Sequence, residues 1–251
     1  MKKIAILFLL ISVSWCAVSQ TTIDSTALKK DAKTLKFNYK QLIIPTALIT
    51  FGAIGMNNDK LKFINHEVNE EIVEGEFKRY HFDDALSLSP YAAYYALDWV
   101  GVESKNNFKD KTIILATASI LMFGTTHILK TTTHQIRPDQ TDYQSFPSGH
   151  TATAFMGAEL VYQEYKDQSV WYGVSAYAVA GLTGYMRIYN NKHWITDVAA
   201  GAGIGILSAK AGYWLYPTIS KLFTKKESKT KTVMLPFYNG KTVGLGLVSR
   251  F

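Results

Sequence analysis

Six apolar stretches of helical length, divided by short charged or turn-forming breaks, fill most of the chain between residues 42 and 217. They are Leu42–Met56, Ala85–Val102, Thr112–Leu129, Thr151–Tyr162, Ser169–Met186 and Val198–Tyr216. Runs of this length are too long for ordinary strands and bury themselves by lying side by side. The expected fold is all-α: a helical bundle of about six core helices. Short links make successive helices antiparallel, so alternate breaks gather at one end of the bundle.

Each stretch falls short of, or barely reaches, the roughly 20 apolar residues of a membrane span. Asp98, Glu159 and Lys210 lie inside them, and an ionisable group at that depth faces the bundle interior or a watery cavity. Thr112–Leu129 and Ser169–Met186 are the best suited to cross. Gly201 and Gly205, one turn apart, predict close approach of the last helix to a neighbour. Pro217 predicts its end. Asn57–Ala85 is charged, with Leu61, Ile64, Val68 and Ile72 at helical spacing. It reads as an amphipathic helix packed on the bundle or, more sharply, as a lid over a site. Its acidic face, Glu67, Glu70, Glu71 and Glu74, has the wrong sign for an anionic membrane surface.

The chain's 251 residues suit one sizeable domain, 47% apolar and 19% charged, with a net charge of +7. Many of the basic residues lie in the C-terminal third, and no zinc-ligand spacing or RNA-binding signature accompanies them, which argues against nucleic acid as a partner. No protein partner is deducible. MKKIAILFLLISVSWCAVSQ reads as a secretory signal spanning residues 1–19, cleaved near Ser19. It contains Cys16, the chain's only cysteine, so the mature chain has no disulfide or thiolate chemistry. A polar segment, 20–40, leads into a helical domain, 41–217, followed by a basic tail and hairpin, 218–251. MLPFYNGKTVGLGLVSRF alternates around Asn239–Gly240, the pair favoured in a type I′ hairpin. One hairpin is too little for a membrane barrel, which needs at least eight strands, so it reads as an appended ribbon.

Three blocks in the breaks carry chemistry. KTTTHQIRP brings Lys130 and Arg137, SFPSGHTATAF brings Ser148, Gly149 and His150, and MRIYNNKHWITD brings Arg187, His193 and Asp197. Each block sits where an apolar helix ends or begins, so the bundle's antiparallel order brings all of them to one face. Lys130, Arg137 and Arg187 can surround a phosphoryl group, the arginines with bidentate donors. The Ser148 and Gly149 amides, near a helix start, add donors and a favourable dipole. His193 and Asp197, four residues apart, are expected to share a helix face, the carboxylate aiming a neutral imidazole outward as a nucleophile. His150, on the other side, can protonate a leaving oxygen and then activate water. His134 reads as a solvated loop residue and His127 as a satisfied core or interface histidine. Asp83 and Asp84 read as a helix cap. Tyr91, Tyr94 and Tyr95 either pack or form an interfacial belt, and Trp194 packs.

The three blocks resemble the motifs of the type 2 phosphatidic acid phosphatase superfamily: Lys-x6-Arg-Pro, Pro-Ser-Gly-His and Ser-Arg-x5-His-x3-Asp. Met186 replaces the serine that opens the third motif, removing one possible phosphate hydrogen bond and none of the charged groups. The resemblance implies the helical fold shared with the haloperoxidases. It also implies a phosphohistidine formed on His193, with Asp197 orienting it and His150 as acid and then base. Lys130, Arg137, Arg187, Ser148 and Gly149 would bind phosphate, with no metal and no cofactor. The apolar helices favour the membrane lipid phosphatases. FDDALSLSPYAAYYALDWVG together with the phosphatase motifs is similar to the group containing lipid A 4′-phosphatases. Lipid A phosphate, undecaprenyl pyrophosphate and phosphatidylglycerol phosphate are the candidate substrates. A soluble periplasmic acid phosphatase is the alternative, and a vanadium haloperoxidase a more distant one.

If all six stretches crossed a membrane after signal cleavage, the active face would lie in the cytoplasm. Lys105, Lys109, Lys111, Lys221, Lys225, Lys226, Lys229 and Lys231 mark the opposite face as cytoplasmic. A Leu42–Met56 segment that does not cross resolves the conflict. The expectation is a bacterial inner-membrane protein with a periplasm-facing site, the alternative being a periplasmic one.

Overall fold

In the computed structural model, the described residues are 35–73, 82–223, 231–238 and 243–250. The signal-like segment, Cys16, Glu74 and the Asn239–Gly240 turn lie outside them. After a short 3-10 turn at Tyr39–Leu42 come α1 (Ile43–Gly55), α2 (Asp59–Val73), α3 (Asp83–Trp99) and α4 (Phe108–Thr133). These are followed by α5 (Gly149–Tyr165), α6 (Val170–Tyr189) and α7 (Ile195–Phe223). Strands β1 (Lys231–Tyr238) and β2 (Val243–Arg250) pair antiparallel, from Lys231↔Arg250 to Tyr238↔Val243.

Polar residues start the core helices by satisfying amides that have no partner inside the helix. The side chains of Asn107, Ser148 and Ser169 accept from the Asp110, Thr151 and Trp171 amides at the starts of α4, α5 and α6. α4 stops where His134 turns left-handed, at φ 47°. α7 has no such residue before it. Its second amide, Thr196 N–H, instead donates to the side-chain Oδ1 of Asn65 on α2 at 3.3 Å, and Asn65 Nδ2 donates back to Thr196 Oγ1 at 3.0 Å.

α5 is the centre, with twelve of its seventeen residues buried. Asp84–His150, Pro90–Gly157 and Asp98–Tyr165 contacts run α3 parallel to it. α7 also runs parallel to α5, and its glycines allow nearly backbone-to-backbone approach. A Cβ on Gly201 would meet the Ser148 carbonyl at 2.5 Å. One on Gly205 would meet the Ala152 carbonyl at 2.3 Å. α4 and α1 lie antiparallel to α7: Gly212 faces Ile114 and Ala118, while Gly52 and Gly203 face Ala200 and Pro45. The ends of α1, α4 and α6 and the starts of α3, α5 and α7 therefore share one face.

The charges inside the apolar helices are matched, as their depth requires. Glu159 lies 2.5 Å from Lys210 and also accepts from Gln163 and Tyr177. Lys111, expected among the basic residues that mark the cytoplasmic face, is fully buried in the first turn of α4. There it donates to Asp98 at 2.7 Å and to the Tyr165 hydroxyl at 2.9 Å, under the faces of Tyr94 and Tyr165. Tyr94 is wholly buried and Tyr91 donates to the Thr153 carbonyl, so these tyrosines pack into the bundle.

Three other expectations change. α7 continues through Pro217 to Phe223: a proline removes one intrahelical hydrogen bond, and Tyr213 and Tyr216, buried just before it, keep the helix in register with the bundle. On α2, Leu61, Val68 and Ile72 are half-buried as expected, but the residue buried among them is Asn65, and Ile64 faces outward with Phe63. Among the described residues, α4 is the one helix long and apolar enough to cross a membrane; α6 is not. Ile120, Phe123 and Ile128 on α4 are exposed, giving it an outward apolar face.

Gly205→Ala is expected to cost about 1–3 kcal/mol, because the atoms it meets are backbone and cannot swing aside. Gly124→Ala, where nothing lies within 4 Å, should be neutral or stabilising by up to about 1 kcal/mol. Thermal unfolding of both variants in detergent checks the contrast.

Candidate active site

The shared face holds one cavity of about 450 Å³. Lys130 reaches it from the last turn of α4, and Arg137 from the following loop. Gly149 and His150 come from the start of α5, Arg187 from the last turn of α6, and His193 from the turn before α7. Asp84, Ser87 and Leu88 of α3, with Phe123 and Thr153, complete the wall. Chain order alone thus gathers six of the eight residues expected at the site.

Each cation is held by an acceptor behind it. Lys130 Nζ donates to the Gln144 carbonyl at 2.5 Å. Arg137 Nε donates to Asp142 Oδ1 at 2.7 Å, and its Nη1 lies 3.3 Å from the Lys192 carbonyl and 3.4 Å from His193 Nε2. Arg187 Nη1 donates to Asp83, a carboxylate only 2% exposed. A second bridge, Lys192 to Asp139 at 2.6 Å, ties the Arg137 loop to the His193 loop. The first two amides of α5, of Gly149 and His150, make no hydrogen bond among the described residues. They face an anion-favouring helix start beside three cations.

Two expected residues stand behind the cavity rather than in it. Ser148 is fully buried: its amide donates to the Asp197 carbonyl at 3.0 Å, and its hydroxyl caps α5. Asp197 is also buried, and its Oδ2 accepts from Ser145 Oγ at 2.5 Å and from the Trp194 amide at 3.0 Å. The latter bond is half of a capping box, closing the start of α7. His193 and Asp197 do not share a helix face, because α7 begins only at Ile195. His193 Nδ1 lies 3.7 Å from Asp197 Oδ2, beyond hydrogen-bond reach. Both Nδ1 and Asp197 Oδ1 are buried without a partner among the described residues.

Burial is the main reason the His193 pKa falls to about 4; Asp197 opposes the drop, while Lys130 and Arg187 add to it. The imidazole is therefore neutral near pH 7, with a basic nitrogen available. His150 is also pushed below the usual histidine value, by burial and by Arg187, while Asp84 and Asp83 pull it upward. Its Nε2 lies 2.7 Å from Asp84 Oδ1.

Asp83 and Asp84 are thus neither a simple cap nor bystanders. They occupy the first turn of α3, one bonded to Arg187 and the other to His150. Two acids before an apolar helix carry no local sign of partners 66 and 104 residues away. Ser145 and Asn65 were likewise missed. Met186 is buried and does not line the cavity. His127 is exposed on α4, not in the core; His134 is an exposed loop residue. Trp194 packs, donating from Nε1 to the Ile136 carbonyl. Among the described residues, no three His, Cys, Asp or Glu side chains come together as a metal site.

Residues 111–221, which hold all three motif blocks, match the model of the PAP2 superfamily. Over that segment the chain is similar to that superfamily. It is 36% identical over 167 residues to a lipid A 1-phosphatase of Porphyromonas gingivalis, where the sequence alone pointed to the 4′-phosphatase group. That match covers 63% of this chain and 38% of the relative. The bacitracin transport permease protein BcrC of Bacillus licheniformis is 40% identical over 76 residues, 30% of this chain and 36% of that protein. The chain therefore spans a little over a third of the length of these curated relatives. The crystal structure of Aquifex aeolicus LpxE is similar at a TM-score of 0.46 and 26% identity, over 59% of this chain and 94% of that one.

With its folded-state pKa below the unfolded value, His193 leaves the unfolded chain as the better proton binder. Its contribution to stability is present above about pH 6.5 and is lost as the pH falls from there towards about 4. In the free protein, NMR of labelled histidine should show the His193 ring neutral from about pH 5.5 to 8. A midpoint above about 6 would contradict the buried, neutral state.

Proposed function

We propose that this chain is a metal-independent phosphatase of phosphorylated membrane lipids, working through a phosphohistidine on His193. One observation carries the reading: a single cavity combines three fixed cations and a neutral imidazole with an apolar rim. Lys130, Arg137 and Arg187 line it together with His193, while exposed Leu88 and Phe123 form its rim. The cations and the free amides of α5 suit a phosphate; the rim suits the chain attached to it. Similarity to a lipid A 1-phosphatase supports the same class. Lipid A phosphate, undecaprenyl pyrophosphate and phosphatidylglycerol phosphate are the substrates to compare.

In the first step His193 Nε2 attacks phosphorus. The bond to the leaving oxygen breaks, and protonated His150 gives that oxygen its proton. Arg137, next to Nε2 in the free protein, moves its donors onto the phosphoryl oxygens. In the second step His150 takes a proton from water and the resulting hydroxide oxygen attacks phosphorus. The P–N bond breaks, returning its electron pair to His193. Positive charge fixed around the phosphoryl group offsets the charge of the transition state, which is the part a divalent ion would otherwise play.

His193→Ala should lower phosphate release by at least about 1000-fold, because removing a nucleophile eliminates the path rather than slowing it. A chelator should leave the wild-type rate unchanged. Phosphate release from the three lipids in detergent, with acid-quench trapping of labelled phosphoenzyme, tests both points. An alanine variant that still turns over, or a rate restored only by added metal, would defeat the mechanism.

The site is proposed to face the periplasm from the inner membrane. Lys105, Lys109 and Lys221 stand together at the opposite end of the bundle, where Lys109 Nζ reaches the Phe223 carbonyl at 3.5 Å. Basic residues mark the cytoplasmic side. α1, at 13 residues, is about 20 Å long, short of the roughly 30 Å hydrocarbon core. A reporter fused at Asn57, beside the site, should read as periplasmic and one at Lys105 as cytoplasmic; the reverse pattern overturns the orientation.

A further inference from the structure

The geometry points to Asp84 as the positioning residue of the acid–base histidine: it holds His150 by Nε2 and presents Nδ1 to the reacting oxygens. This rests on the phosphatase reading above and adds a residue outside the three phosphatase motif blocks.

Asp84 Oδ1 lies 2.7 Å from His150 Nε2, and both residues line the cavity. Nδ1 makes no hydrogen bond among the described residues, so it is the nitrogen left to exchange a proton. The carboxylate fixes the tautomer with a proton on Nε2 and sets the ring plane, as an acid partner does for imidazoles generally. When Nδ1 is also protonated, the same carboxylate is the nearest counter-charge. The ring needs one, because the groups facing it are mostly cationic: Arg187 from α6, Lys130 from α4 and Arg137 from the loop, with neutral His193 opposite. The acids come from α3 alone, and Asp83 is already bonded to Arg187. In the first step Nδ1–H moves to the leaving oxygen as the P–O bond breaks, leaving a neutral ring bonded to Asp84. In the second, Nδ1 takes a proton from water as the water oxygen bonds to phosphorus.

The backbone supports this placement. α3 runs parallel to α5, held by the close contact of Pro90 and Tyr91 with Gly157 and by the Tyr91–Thr153 bond. The first turns of the two helices therefore stay level, and Asp84 stays opposite His150. Asp83 anchors the same turn through Arg187, so the exposed Asp84 projects from a fixed point.

A residue acting through the general acid matters in proportion to how much its reaction needs one. The test compares two esters matched in chain length: dodecyl phosphate, whose alcohol leaves badly, and a dodecyl-substituted nitrophenyl phosphate, whose phenolate leaves without help. For Asp84→Asn in detergent, kcat/KM should fall about 10- to 100-fold on the alkyl ester and stay within about threefold on the aryl ester. Loss of the counter-charge lowers the His150 pKa, so the alkaline limb of the alkyl-ester profile should move to lower pH. Asp84→Glu should recover part of the alkyl-ester rate.

Equal losses on both esters, or no loss on the alkyl ester, overturn the assignment while leaving the phosphatase reading intact. A wild-type protein that releases phosphate from neither ester overturns that reading, and this inference with it. Thermal unfolding of Asp84→Asn matching wild type, expected for an exposed acid, keeps a rate loss from being a folding loss.

Discussion

The start of α5 and the start of α7 lie against each other, and the arrangement of the site follows from that join. Asp197 makes it. Its carbonyl takes the Ser148 amide, and its carboxylate takes the Ser145 hydroxyl and the Trp194 amide. One residue thus fastens the loop before α5, the cap of α5 and the turn that carries His193. The join is possible because Gly201 and Gly205 let α7 approach the α5 backbone with no side chain between. Asn65 closes the outer side of the same turn from α2. His193 is therefore positioned mostly by its neighbours' hydrogen bonds, together with its own amide on the Arg187 carbonyl and the Arg137 guanidinium against Nε2.

Much of this was legible in the sequence, for physical reasons that can be named. Helical stretches joined by short links must alternate in direction, so residues at alternate breaks converge whatever the details of side-chain contact. That is why Lys130, Arg137, Gly149, His150, Arg187 and His193 were predictable as one site. The errors concern pairings across helices and the exact start of a helix. Four-residue spacing placed His193 on a helix that begins two residues later. The Ser148 amide looked like an anion donor because nothing local shows that Asp197 accepts from it. Asp83 and Asp84 looked like a cap because their partners are set only when α3 lies beside α5 and α6. Lys111 reads as one more face-marking basic residue beside Lys109, yet the start of α4 turns it inward onto Asp98. Pro217 was expected to end α7, but a helix held by buried tyrosines tolerates the loss of one backbone bond.

The same layout explains how a protein can gather so much positive charge without a ligand. Arg187 has Asp83, Arg137 has Asp142, and His150 has Asp84. Lys130 alone among these groups has only a carbonyl, that of Gln144, as its hydrogen-bond partner among the described residues. Asp83 and Asp142 do not line the cavity and Asp84 sits in its wall, so these carboxylates neutralise part of the charge while the inward donors stay directed at the cavity. An arriving phosphate meets the unmatched Lys130, the Gly149 and His150 amides and the inner donors of both arginines. It need not displace any of these carboxylates to do so, and the cost of preparing the site is met when the chain folds rather than when the substrate binds.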